Sequence, residues 1–485
     1  MTHASLAVRT LAGCIGLALA AATPLSAQPA SVDEMQHTIE SQQVQIESQQ
    51  QQLDAQRDLL EKLQAQVEAL ATSNAAPATA AEPAEPAVIV KRPQDTGRPQ
   101  QGPRMLDTKS GHDLENPTGT NVSPNKAAVS FEIPELKTQI GIFGFTQFQI
   151  AYDTNGLDSS EFDTFLIDVD DSDARTTFSV NPSRFGFSSE TSLGWGRLNT
   201  LLTVDFNGKL DKPDPRLRQA YGEFIHDELD FALLAGQAYT TGLDLKAVPE
   251  TLDFAGPSGA FARRQELLRF TKLFGRQLFI DVAAENPENA TFIAADTQTR
   301  LPDFYVAAEW DSRARYVDHF RAMVLLRDLK AENDLGTRDS ALGWAVAGST
   351  KIMLPFLDPR DNLKLTVQYG EGFGSALKSG PFDGGIDPDD GKLETVPLFS
   401  AFGGIQHFWT DELRSNLSFG YVNADLPGFF APNSLESNIY VAANLIWEPI
   451  KNLQFGFEYL YGRLENFDGN SGTADRLLWS SKFDF

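Results

Sequence analysis

The stretch QIGIFGFTQFQIAY, Gln139–Tyr152, decides the fold. Ile140, Ile142, Phe148, Ile150 and Tyr152 fall on one face of an extended chain. Gly141, Phe143, Phe145, Gln147 and Gln149 fall on the other. A period of two is the signature of a strand with two unlike surroundings. The pattern recurs downstream. Phe320, Ala322, Val324 and Leu326 oppose Arg321, Met323, Leu325 and Arg327. Leu413, Leu417, Phe419 and Tyr421 oppose Arg414, Asn416, Ser418 and Gly420. The chain closes on Leu477, Trp479, Phe483 and Phe485 against Arg476, Ser480, Lys482 and Asp484. Aromatic residues at both ends of several apolar faces suit a lipid-facing band with aromatic girdles around a polar lumen.

Sixteen such segments are predicted, at 138–153, 183–192, 197–206, 216–226, 228–237, 264–273, 277–285, 303–311, 317–328, 342–353, 363–370, 397–408, 413–421, 438–447, 453–461 and 476–485. Gaps after even strands are short, as at 193–196 and 409–412. Gaps after odd strands are long, as at 154–182, 238–263 and 371–396. An outer-membrane barrel has short turns on one side and long loops on the other. A soluble sandwich or solenoid explains neither this alternation nor a chain that ends on an exposed aromatic face. The expected fold is all-β: a 16-stranded antiparallel transmembrane β-barrel preceded by an N-terminal α-helical coiled coil.

Residues 1–27 read as a signal peptide, with the apolar core Leu11–Ala22 and a small-residue cleavage site ending at Ala27. That core falls short of the roughly 20 residues of a membrane-crossing helix. Cleavage would discard Cys14, the chain's one cysteine, so no disulfide or zinc-thiolate site is expected. Residues 28–70 read as a periplasmic coiled coil. Val32, Ile39, Ile46, Leu53, Leu60 and Val67 repeat every seven residues, and Met35, Gln42, Gln49, Gln56, Leu63 and Leu70 follow at plus three. A helix over 32–70 would be about 58 Å long. So narrow a stripe needs a partner, and polar layers at the second seam fit three strands. Residues 71–136 read as a Pro/Ala-rich linker, and 137–485 as the barrel.

The chain has 485 residues and a formal charge of −26. That acidity excludes a nucleic-acid partner, which needs phosphate neutralisation. No enzyme, cofactor or metal is expected. The sequence holds no phosphate-cradling glycine loop and no HExxH, and His226, His319 and His407 sit apart near periplasmic strand ends. Asp168-Val169-Asp170-Asp171-Ser172-Asp173 is oxygen-rich but lacks the glycine and distal Glu of a calcium loop.

Further residues carry a family resemblance. Ser183-Arg184-Phe185-Gly186-Phe187, Leu217-Arg218-Gln219-Ala220-Tyr221 and the Phe-terminated last strand resemble bacterial outer-membrane porins. The leading coil, the linker and Pro249-Glu250-Thr251-Leu252-Asp253-Phe254 running into Arg263-Arg264-Gln265-Glu266 resemble the DcaP-like porins more particularly. The resemblance implies a trimeric outer-membrane channel with its coil in the periplasm. It also implies passive uptake of small organic anions, dicarboxylates among them.

The connection 238–263 is the third long loop, the one expected to fold inward and narrow the pore. Gly242, Gly256, Pro257 and Gly259 permit sharp turns in it. It is expected to bring Asp244, Lys246, Glu250 and Asp253 near Arg263 and Arg264. Parity places Arg184, Arg263, Arg269, Arg321, Arg327 and Arg414 inside, whereas Arg216 and Arg218 share a strand with mixed faces. Arginine forks suit carboxylates. They equally suit bracing pairs with Glu190, Asp205, Asp281 or Glu458. Expected partners are further copies of the chain in a homotrimer, outer-membrane lipid and lipopolysaccharide, small anionic solutes, and the cell wall through the coil. A different reading makes the barrel a structural anchor that tethers the envelope through that coil.

Overall fold

The computed structural model describes residues 129–485, apart from 156, 158, 160, 170–172, 210, 211, 276, 288, 289 and 313–315. The expected signal peptide, the coil and most of the linker lie outside the described residues, as do parts of the acidic run 168–173.

Sixteen strands form the wall: β1 Thr138–Asp153, β2 Arg184–Ser192, β3 Gly196–Asp205, β4 Arg216–His226, β5 Phe231–Tyr239, β6 Arg264–Phe274, β7 Leu278–Glu285, β8 Asp303–Asp311, β9 Val317–Asn333, β10 Arg338–Met353, β11 Asn362–Glu371, β12 Pro397–Phe408, β13 Leu413–Ala424, β14 Leu435–Ile450, β15 Leu453–Asn466 and β16 Ser471–Asp484. Each pairs antiparallel with the next. The barrel closes where β1 meets β16, from Phe145 opposite Asp484 to Asp153 opposite Arg476. Closure leaves no unpaired edge in the lipid, where bare backbone polar groups would be costly.

Outward parity is apolar. On β9, Phe320, Val324 and Leu326 are exposed, while Arg321, Met323, Leu325 and Arg327 are buried inside. Outward Phe185, Phe187, Leu268, Phe270, Trp310, Trp409 and Trp447 continue the lipid-facing band.

Three expectations change. Residues 129–136 are not linker: Val129–Ile133 pairs with Thr138–Ile142 and extends the sheet beside the C-terminus. The β9–β10 and β15–β16 connections are not long loops but tight turns on tall hairpins, whose strands run past their expected ends. The lumen is not polar throughout. Phe261, Tyr305, Met323, Leu325, Phe373, Leu398, Val422 and Phe430 form one apolar cluster inside the wall. Leu157, Phe162, Ile167, Leu252, Tyr440, Leu460 and Leu464 form a second. Long loops folded inward supply the partners for these inward apolar side chains.

Candidate functional site

The connection from β5 to β6, residues 240–263, lies inside the barrel and is tied to the wall along its length. Glu285 on β7 accepts from the Thr241 N–H at 2.7 Å, and Arg321 on β9 donates to the Thr241 carbonyl. Lys364 on β11 donates to the Val248 carbonyl at 2.9 Å. Arg414 on β13 grips Glu250 through two bonds of 2.7 and 2.8 Å. Glu458 on β15 accepts from the Leu252 and Asp253 N–H groups at 2.9 and 2.7 Å. Gln149 on β1 donates to the Leu252 carbonyl. These hydrogen-bond partners run from β7 round to β1; from the β2–β6 wall, Arg216 and Arg218 meet the loop over the Phe254 ring.

The loop's charges do not gather at Arg263 and Arg264 as expected. Asp244 bonds His319 at 2.7 Å and accepts from the Ser349 hydroxyl. Lys246 bonds Glu309 and Asp311 at 3.2 and 2.7 Å. Glu250 is held by Arg414. Asp253 accepts from the Phe162 and Gly256 N–H groups at 3.0 and 3.1 Å. The reason is desolvation: a charge carried into the lumen needs a partner in the wall. Glu309, Asp311 and His319 converge with ligand atoms within 4.8 Å of one another. The Lys246 ammonium already contacts both carboxylates, so the loop brings its own cation to that cluster.

The arginines divide by partner. Arg327 is buried and clamped to Asp303 and Asp383, both at 3.0 Å. Arg321 lies 3.6 Å from Asp281 and 3.7 Å from Glu309. Arg216 and Arg218 share Asp205, at 2.9 and 2.6 Å. Arg184, Arg263, Arg264 and Arg269 form no ion pair with the described residues; Arg263 donates instead to the Ser375 carbonyl at 2.7 Å. The direction of Arg216 and Arg218 follows from a register shift opposite Thr203 and Val204. Thr203 pairs with Gln219 and Val204 with Leu217, which leaves Arg218 as the extra residue. This bulge turns Arg216, Arg218 and Gln219 to the same side.

Three neighbouring spaces, which share lining residues, place these side chains. An outer vestibule of about 960 Å³ is lined by Arg263, Lys378, Asp163, Phe165 and Phe382. A chamber of about 100 Å³ is lined by Arg184, Arg218, Arg264, Tyr239, Asp253 and Phe254, and shares Ala262 with the vestibule. A recess of about 50 Å³ is lined by Arg269, Arg321, Lys246, Asp244, Asp281 and Glu309, and shares Tyr239, Leu243 and Leu245 with the chamber. Arg263 faces the vestibule and Arg264 the chamber, so the adjacent pair straddles the boundary. Aromatic rings hold the cations in place: Arg218 lies 5.0 Å over Phe254, Arg264 5.5 Å over Tyr239 and Arg184 5.2 Å over Phe145. The Tyr239 hydroxyl also accepts from Arg218 at 2.8 Å.

Loop groups titrate according to their surroundings. Burial opposes the charge of Asp163, but Lys378, Ser379 and the Phe165 N–H outweigh it and hold the carboxyl below its usual range. Burial pushes Asp253 up to about 6, only partly offset by the Phe162 N–H and Arg476.

Sequence reasoning missed Lys378, Tyr239 and Phe254. Lys378 sits in a loop with no periodicity to place it. The two aromatics look like ordinary girdle or core residues until their guanidinium neighbours are known.

A family model described as the DcaP outer membrane protein matches residues 115–485. No curated protein matches the chain by sequence. Among solved structures, the chain is similar to the outer membrane channel DcaP of Acinetobacter baumannii, at 22% identity and a TM-score of 0.65. The match covers 73% of this chain and 99% of that one. It is also similar to an anion-selective porin from Comamonas acidovorans, at 10% identity and a TM-score of 0.51, covering 72% of this chain and 100% of that one.

Proposed function

The chain belongs to the DcaP outer membrane protein family, and from that premise we propose that it is a passive diffusion channel for small hydrophilic anions, carboxylates and dicarboxylates foremost. The observation that carries this reading is the set of arginines without ion pairs. Arg263, Arg264, Arg184 and Arg269 line three neighbouring spaces, and the constriction loop's acids in them, Asp244 and Asp253, are held by partners other than these four. A channel selects by width and by the charges at its narrowest part. Guanidinium forks match the geometry of a carboxylate bidentately. Arg216 and Arg218 belong to the same wall, whereas Arg321 and Arg327 act mainly as braces.

The reading extends to assembly. The chain forms a homotrimer in outer-membrane lipid and lipopolysaccharide, with its coil 32–70 in the periplasm aiding association. The support is the unbroken heptad pattern. Deleting 32–70 and sizing the detergent-extracted protein tests this; trimers forming at an unchanged rate would make the coil a spacer.

The deciding experiment for function is the reversal potential of the purified channel in a KCl gradient across a planar bilayer. Chloride preference is expected. Clear cation preference would sink the anion reading and leave the channel.

A further inference from the structure

We propose that the connection between β1 and β2 supplies a second constriction element. Residues 161–169 fill the lumen beside β14–β16 and confine solutes to the arginine-bearing wall. The inference rests on the channel reading above.

The segment is seated as firmly as the first constriction loop. Phe162 and Thr164 are fully buried and Ile167 nearly so. Phe162 packs edge-on to Tyr440 on β14, with ring centres 6.0 Å apart. Phe162 and Ile167 share a cluster with Leu252 of the constriction loop and with Leu460 and Leu464 of β15. The two loops are also bonded to each other. The Phe162 N–H donates to Asp253 at 3.0 Å, and the Thr164 and Ser258 hydroxyls lie 2.7 Å apart. Lys378 and Ser379 hold Asp163 from the β11–β12 connection.

The wall is shaped to receive both loops. A Cβ on Gly462 would lie 2.8 Å from Ile167 and 3.1 Å from both Phe162 and Thr164. A Cβ on Gly420 would lie 2.7 Å or less from the Ser258 backbone. Any larger residue at these positions collides with the seated loops. Buried apolar side chains, loop-to-loop bonds and a matching hollow describe a fixed wall rather than a lid.

The segment acts through volume. Asp163 and Glu161 share Lys378, at 2.7 and 3.8 Å, so two of the segment's three carboxylates stand beside a cation. By occupying the β14–β16 side it keeps a passing anion within reach of Arg184, Arg218 and Arg264. Charge preference weakens with distance through water, so opening this side should weaken it.

Two variants test the idea. Gly462→Leu should displace the segment without altering any charge. In bilayers it should raise single-channel conductance and move the KCl-gradient reversal potential toward zero relative to the unsubstituted channel. Unchanged conductance in a Gly462→Leu barrel that keeps its heat-modifiable gel mobility overturns the proposal. Should that variant fail to fold, the pair Thr164→Cys and Ser258→Cys carries the test. Copper-phenanthroline should cross-link it, with equal conductance before and after reduction. No cross-link, or lower conductance when cross-linked, overturns the proposal. A cation-selective unsubstituted channel would instead overturn the anion reading, and the conductance comparison would still stand.

Discussion

Two arginines at similar depth in the wall carry different consequences. Arg184 is buried over Phe145 with no ion pair, and its Nε is without a hydrogen-bond partner. Arg327 is just as buried but clamped to Asp303 and Asp383. Arg184→Ala, and likewise Arg264→Ala, should lower chloride preference in reversal-potential measurements and leave thermal stability near that of the parent. Arg327→Ala should do the reverse. Removing one partner from a buried ionic cluster strands the others, at a cost of about 3–5 kcal/mol. Gel-shift melting should show the loss. Asp253 gives a pH signature. Its folded value near 6 lies above the ordinary 3.8. Its favourable contribution is therefore complete below about pH 3.8 and is lost as pH rises through 6. Asp253→Asn removes the charge but keeps only one of the two acceptors, so its stability relative to the parent should be more favourable at pH 7.5 than at pH 4, where the parent's carboxyl is protonated. An equal difference at the two pH values would contradict this account. At this scale parity was legible in the sequence: Arg184, Arg269, Arg321 and Arg327 all turn inward. The bulge at Arg218 was not, because it follows from pairing with Thr203 and Val204 on another strand.

All sixteen strands were legible, because lipid outside and an interior inside impose a period of two on every crossing. Pro397–Phe408 and Asp303–Asp311 begin and end where the pattern does. Strand ends beyond the membrane were less so, since a tall hairpin such as β9–β10 loses its apolar face before it loses its pairing. The inward-folded loops were hardest to read. Met323 and Leu325 sit at inward positions that a water-filled lumen would make polar, and they were the available signal that something packs there. The constriction loop itself hangs on a few charged anchors, and Glu250 is the most connected. It receives Arg414 twice and Gln406 at 2.7 Å. Glu250→Gln keeps the shape and removes the charge, leaving Arg414 with only Glu448 at 3.2 Å. The loop should then hold its place less tightly. Open-channel current noise should rise, with the barrel's heat-modifiable gel mobility kept. Unchanged noise would mean that the backbone bonds to Glu458 suffice to seat the loop.

The whole molecule is strongly acidic, yet the chamber beside the loop is lined by three arginines and one carboxylate, and the two act over different ranges. The net charge of −26 includes exposed loop acids such as Asp389, Asp390 and Asp468. They act on a solute through water. On the proposed reading, Arg184, Arg218 and Arg264 act on it from the lining of a chamber of about 100 Å³, where they are more enclosed than the loop acids. Screening separates these contributions. The Debye length is about 30 Å at 0.01 M salt and about 3 Å at 1 M, and enclosed charges are screened much less than exposed ones. At low salt the acidic exterior should repel anions from the mouth and mask the ladder. At high salt that repulsion collapses while the contacts in the chamber persist. The chloride-to-potassium permeability ratio, measured at a fixed tenfold gradient, should therefore rise as mean salt increases from 0.01 M to 1 M. A simple fixed-charge pore with one basic ring would lose preference over the same range. A falling ratio would show that ladder and exterior are screened alike, and that the arginines face bulk water rather than the enclosed wall formed by the loops.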